Sequence, residues 1–149
     1  MHGGDRCEHQ QRITGGDDMA VFTQAELDYL AGQPLARIAT ASASGVPDVA
    51  AVGFGVDGDH LVTGGFDITK TVRYRNLLAN PRATIVIDDL ATVDPWRPRG
   101  IKVRGTATVE EGRGGLRIRI VPETVWSWGL NDGAETRFKS IERREVAAG

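Results

Sequence analysis

The residues whose types and spacing best suit chemistry are Thr69-Lys70-Thr71-Val72-Arg73. At the start of a helix the first N–H groups lack partners and lie at the positive end of the dipole, a setting that suits an anion. Thr69 and Thr71 bring hydroxyl donors, while Lys70 and Arg73, three apart on one helical face, can converge on one phosphate. Gly64 and Gly65, just upstream, let a ligand approach the backbone closely. The same pattern also describes a solvated basic helix start, where cations oppose the dipole. A second segment, Asp94-Pro95-Trp96-Arg97-Pro98-Arg99-Gly100, carries a tryptophan and two arginines on a loop stiffened by two prolines. Such a loop can present a preorganised surface to an anion or a ring, or simply connect two strands in solvent. Trp126 and Trp128 alternate along one strand and so share a face, where they can flank a planar heterocycle, seal a dimer seam or pack in a core. Arg117 and Arg119 share a face in the same way, fit either for an anionic groove or for a solvated surface.

No catalytic residue can be assigned from motifs. The chain has no Gly-x-Ser-x-Gly elbow, no His-Glu-x-x-His and no Gly-x-x-x-x-Gly-Lys phosphate loop. One cysteine, Cys7, and three scattered histidines, His2, His9 and His60, give no metal-ligand set. The chemistry is therefore expected to reside in a bound organic cofactor, with the protein supplying placement and electrostatics.

The elements that must position these residues read as strands with two short helices. Thr23-Gln24-Ala25-Glu26 fits a capping box, and a helix carrying Leu27 and Leu30 on one face ends at Gly32 and Pro34. Strands are expected over Leu35–Ala41, Val49–Val56 and His60–Thr63, with Asp57-Gly58 as a hairpin turn. The period changes over Thr69–Asn80, where Tyr74, Leu77 and Leu78 predict a second helix, stopped by Asn80-Pro81. Ala83–Ile87 reads as a strand buried on both faces. The clearest alternation is Ile101–Val109; Leu116–Ile120, ending at Pro122, and Thr124–Leu130 follow. Six or seven short strands with minor α content point to a mainly β, antiparallel barrel, whose closure removes exposed edges.

Composition excludes several classes. The chain has 149 residues, a formal net charge of -2 and no apolar run near the ~20 residues of a membrane helix. Residues 1–18 read as a polar, flexible leader, with Met19 a plausible alternative start and residues 19–149 a single barrel domain. The leader holds two bases and four acids, which leaves sixteen of each in the body. A neutral body offers no basic field for nucleic acid. A cytoplasmic protein acting on a small molecule is the expectation.

Arg37-Ile38-Ala39-Thr40, Val52-Gly53-Phe54, Lys70-Thr71-x-Arg73 with Asn80-Pro81, the Trp96 loop running into Gly100-Ile101-x-Val103-Arg104-Gly105, and Val125-Trp126-Ser127-Trp128-Gly129 together carry a family resemblance. Over roughly residues 21–131 the chain resembles the pyridoxamine 5′-phosphate oxidase-like split β-barrel family, and within it the actinobacterial, dehydrotetracycline-reductase-like branch that uses the deazaflavin coenzyme F420. The resemblance implies an FMN-binding split barrel fold and a homodimer with cofactor in a groove between subunits. It implies cofactor contacts by Arg37, Thr63, Lys70, Thr71 and Arg73, to which Trp96, Arg97 and Trp128 are added as ring- or anion-contacting candidates. Three departures argue against pyridoxamine-phosphate oxidation. The Ser-Arg-Lys of flavin-binding oxidases is Thr71-Val72-Arg73 here, a ring-side glutamine is Gly100, and the C-terminal segment that grips pyridoxal phosphate has no counterpart. The implied activity is F420-dependent hydride transfer. The alternatives are an FMN-dependent oxidoreductase or a non-catalytic flavin-, deazaflavin- or haem-binding protein.

Overall fold

A computed structural model describes residues 20–131 and 141–147. The expected leader, residues 1–18, lies outside the described residues. Helix α1 (Gln24–Ala31) precedes strands β1 (Ala36–Ala41), β2 (Pro47–Val52), β3 (Phe54–Asp57) and β4 (His60–Thr63). A 3₁₀ turn (Ile68–Lys70) and helix α2 (Val72–Ala79) lead to β5 (Arg82–Thr92), β6 (Arg97–Gly112), β7 (Gly115–Trp128) and β8 (Glu142–Glu145). The sheet runs β2-β1-β5-β6-β7-β4-β3, antiparallel at every step, with β8 pairing β7.

Val49–Val56 is not one strand: Val52 pairs with Ala36 in β1, Phe54 pairs with Thr63 in β4, and Gly53 lies between. β2 and β3 are the two ends of the sheet path, yet a single residue joins them, so the ends lie within about 8 Å of each other. The sheet must curl, and its seam is closed by a peptide link rather than a hydrogen-bonded ladder. This is a split barrel. Ile38, Leu61, Ile85, Ile87, Ile101, Val103, Ile118, Ile120 and Val125 fill its interior, each with 0% exposure.

Leu116–Ile120 and Thr124–Leu130 are expected as separate strands, but one strand, β7, runs through Pro122. Its N-terminal half pairs with β4 up to Ile120 and its C-terminal half with β8 from Thr124, so Pro122 falls where neither neighbour needs its missing N–H. On the other side Pro122 faces Gly105, where the β6–β7 register shifts between Arg104 and Gly105. That shift reverses the strand's alternation. Ile118 and Ile120 point inward before it, Val125 and Ser127 after it, and Trp126 and Trp128 are turned outward. β5 is likewise longer than expected and is not buried on both faces: Ala83, Ile85 and Ile87 are buried, while Thr84 and Val86 are only half-buried.

α1 begins as expected. Thr23 N–H donates to Glu26 Oε1 (3.0 Å) and Glu26 N–H to Thr23 Oγ1 (3.1 Å). Glu26 is 1% exposed and also accepts from Arg144 Nη1 of β8 at 2.9 Å, which ties the last strand to the first helix. Burial pushes the Glu26 carboxyl up, but Arg144 and the Thr23 N–H outweigh it and hold the group below its ordinary value.

Candidate functional site

After β4 the chain passes through Gly64 and Gly65 into two successive capped turns. The Asp67 carboxylate accepts from the Thr69 N–H (3.2 Å) and hydroxyl (2.6 Å), which starts the 3₁₀ turn. The Thr71 backbone is extended, its hydroxyl donates to the Ile68 carbonyl at 2.6 Å, and its Oγ1 accepts from Tyr74 N–H at 3.2 Å, which starts α2. Lys70 therefore precedes the helix cap, and the expected i, i+3 pairing of Lys70 with Arg73 on one helical face does not exist. Both hydroxyl protons are also committed internally, Thr69 to the capping Asp67 and Thr71, itself the α2 cap, to Ile68, so neither is a free donor. What remains for an anion is Arg73, Lys70 and the first-turn N–H groups of Val72 and Arg73, which have no helical acceptor.

Two polar atoms at this corner are buried without a partner. They are Thr63 Oγ1 and Arg73 Nε. Arg73 Nη2 donates to the Gly64 carbonyl at 3.4 Å, and a Cβ added at Gly65 would lie 3.0 Å from the same nitrogen. Thr63 itself is 2% exposed. Buried unpaired donors are uncommon, because each forfeits the hydrogen bond it made to water. Beside them lies a groove lined by Gly53, Phe54, Gly55, Val62, Gly64 and the Gly112–Gly115 turn. Added Cβ atoms at Gly53 and Gly64 would meet nothing within 4 Å, so packing does not demand glycine there.

The other expected site residues lie elsewhere. Arg37 is on the outer face of β1, ion-paired with Asp88 at 3.0 Å. Asp88 is level with Gly100, and Gly100 with Trp128 across β7. A Cβ at Gly100 would stand 2.6 Å from the Trp128 ring, so the indole occupies the space a side chain would need. The structure thus brings Arg37 and Trp128 onto adjacent rows of one sheet face. Trp96, 56% exposed, and Arg97, also exposed, sit at the β5–β6 hairpin. The expected loop over residues 94–100 is shorter than its sequence implies, because Arg97 onward already belongs to β6. Arg99 is held by Asp89 at 2.7 and 3.0 Å, an acid that also accepts from the Tyr29 hydroxyl at 2.9 Å.

Arg117 lines the glycine-rich groove beside Thr63, but both it and Arg119 are already matched by acids. Glu110 accepts from Arg117 Nε (2.7 Å) and from Arg119 Nε (2.8 Å), and Asp57 from Arg119 Nη2 (2.7 Å). Hydrogen bonds from Arg119 and then Arg117 hold the Glu110 carboxyl down at about 2. A carboxyl depressed on folding stabilises above its unfolded value and loses that contribution as pH falls through the folded one. Acid titration of unfolding should show a loss between about pH 4.5 and 2, and Glu110→Gln should flatten it; a variant with the wild-type acid limb would assign that loss to other carboxylates.

Comparison with known proteins decides the family. The pyridoxamine 5′-phosphate oxidase profile matches residues 22–117. The chain belongs to that family. It is 31% identical over 137 residues to the 5a,11a-dehydrotetracycline/5a,11a-dehydrooxytetracycline reductase of Streptomyces rimosus, covering 85% of this chain and 94% of the reductase. Among solved structures it resembles a FAD-binding protein of Mesorhizobium loti, with TM-score 0.55, 18% identity and coverage of 71% and 93% of the two chains. It also resembles the haem storage protein HutZ of Vibrio cholerae, with TM-score 0.53, 15% identity and coverage of 64% and 86%. At these identities the two structures establish the split barrel alone, and the family fold is seen to host different ligands. No helix of the described residues is long and apolar enough to cross a membrane.

Proposed function

We propose that this family member is a coenzyme F420-dependent oxidoreductase that works as a homodimer on a small organic substrate. The observation that carries the reading is the corner where Thr63 Oγ1 and Arg73 Nε are buried unpartnered beside a glycine-lined groove. A phosphate there would give both donors an acceptor, with Lys70 and the α2 first-turn N–H groups adding charge and dipole. The residues present fit a phosphate-bearing cofactor. When bound, the deazaflavin supplies the hydride; the chain's own residues bind, orient and exclude water. Arg73, Lys70 and Thr63 hold the anionic end, Thr71 fixes the helix that presents them, and the bare backbone at Gly53 and Gly64 leaves room for a flat ring. Arg37 and Trp128 offer a cation and an indole on the outer sheet face. Trp96 and Arg97, exposed at the hairpin, are assigned to contacts with the cofactor across the dimer seam. The reductase relative supports the reaction class, and its substrate is the first compound to try.

The expected result is substrate-dependent oxidation of reduced F420 when 5a,11a-dehydrotetracycline or a related polycycle is added, and none with reduced FMN in its place. Turnover with reduced FMN alone would replace F420 in this account.

Arg73→Ala removes a charge-assisted contact worth roughly 1.5–3 kcal/mol, so cofactor affinity should fall about 10- to 100-fold. The ligand-free protein should lose little stability, because the variant also deletes a buried donor that has no acceptor. Lys70→Ala should act in the same direction and more weakly, since a flexible ammonium makes no bidentate fork. Equilibrium titration checks both; wild-type affinity in Arg73→Ala would remove this corner from the cofactor site.

A further inference from the structure

On the outer sheet face the register lines up Arg37, Val86, Lys102, Trp126 and Arg143 in one row across β1, β5, β6, β7 and β8. Directly opposed residues of a pleated sheet project to the same side. Three cations gather on the indole: Lys102 Nζ at 4.2 Å from the Trp126 ring centroid, Arg104 Cζ at 4.9 Å and Arg143 Cζ at 5.6 Å. Elsewhere on the sheet most cations are matched by acids, as Arg37 is by Asp88, Arg82 by Glu123 and Arg119 by Glu110, with Arg97 at the hairpin the exception among the described residues. Among the described residues Lys102 and Arg104 have no carboxylate partner, and Arg143 has only Glu145. The body is formally neutral, so this is a local excess rather than a general basic surface. Like charges held together repel, and the ring's quadrupole offsets only part of that repulsion. Arg104 also lines an open groove with Ala39, Ala41, Asn80 and Thr84, which gives the cluster a concave flank.

We propose that Lys102, Arg104 and Arg143 around Trp126 form a binding site for a small polyanion, a phosphorylated or polycarboxylate molecule lying in the Arg104 groove. An anion supplies the negative charge that the cluster lacks, and it meets cations from two strands, β6 and β8, at once. The site shares no residue with the Arg73 corner, and the proposal does not rest on the cofactor reading. It needs only the register and the unmatched charge.

The test titrates ligand-free protein with pyrophosphate and, separately, with citrate, following tryptophan fluorescence and heat, with sodium chloride at matched ionic strength as control. Saturable binding should be seen with at least one probe, and the stronger one identifies the source as phosphate or carboxylate. The Lys102→Met, Arg104→Met double variant keeps apolar stems over the ring, and its affinity should fall at least tenfold. Saturable binding should persist in Arg73→Ala, which removes whatever phosphate the other corner takes up. Should the double variant fail to fold, the single Arg104→Gln change at an exposed position should still weaken binding threefold or more. A response that sodium chloride reproduces, unchanged affinity in the Lys102 and Arg104 variants, or loss of binding in Arg73→Ala would each overturn the proposal.

Discussion

Gly105→Ala should be the most destabilising single change in the barrel, costing at least about 3 kcal/mol. An added Cβ would stand 1.9 Å from the Val121 carbonyl oxygen and 3.1 Å from the Pro122 Cα. Both are backbone atoms, so no side-chain rotation relieves the contact. Gly105 is also the point where the β6–β7 register shifts, and that shift decides that Trp126 and Trp128 face outward. The expected observation is a large drop in the denaturation midpoint, with altered tryptophan fluorescence in whatever remains folded. A variant within about 0.5 kcal/mol of wild type, the usual range of surface changes, would mean that β7 passes β6 by another path.

Loss of the Glu26–Arg144 pair comes second, with Glu26→Ala at about 2 to 4 kcal/mol. The substitution removes the capping-box carboxylate from the Thr23 N–H and leaves Arg144 without its acid. The upper end of the range for broken buried pairs is discounted, because the Arg144 side chain is 31% exposed and can turn to water. Since Arg144 is the neighbour of Arg143 in β8, detachment of that strand should also loosen the cluster on Trp126. Denaturant unfolding measures the loss, and protease cleavage near β8 should quicken with it. Arg144→Ala should cost at least as much as Glu26→Ala, because it leaves the buried Glu26 carboxylate without its charge partner; a clearly smaller loss would mean that the Thr23 cap alone suffices to hold that carboxylate.

Local signals carried much of the fold. The Thr23–Glu26 box, the β3–β4 hairpin, whose turn is Gly58-Asp59 rather than the expected Asp57-Gly58 because Asp57 pairs with His60, and the alternation of Ile101–Val109 are each decided by neighbours in the chain. The division at Gly53 was not legible, since an apolar run does not say which partner each half will find. The path of β7 through Pro122 depends on Gly105, which is distant in sequence and meets it only across the sheet. Side-chain alternation placed Trp126 and Trp128 on one face, but which face depends on that same register shift. At the candidate site the residue types were legible and their bonding was not. Thr71 has the chemistry of a phosphate donor, yet its proton is taken by Ile68 within the same turn. Arg117 and Arg119 look free in sequence because Asp57 and Glu110 come from other strands.

The cofactor is the centre of this account, and parallel equilibrium titrations of ligand-free protein with F420 and with FMN, at one salt concentration, address it most directly. The expected result is saturable binding of F420, tighter than that of FMN and weakened at least tenfold by Arg73→Ala. Tighter binding of FMN, or no saturable binding of F420, would contradict it.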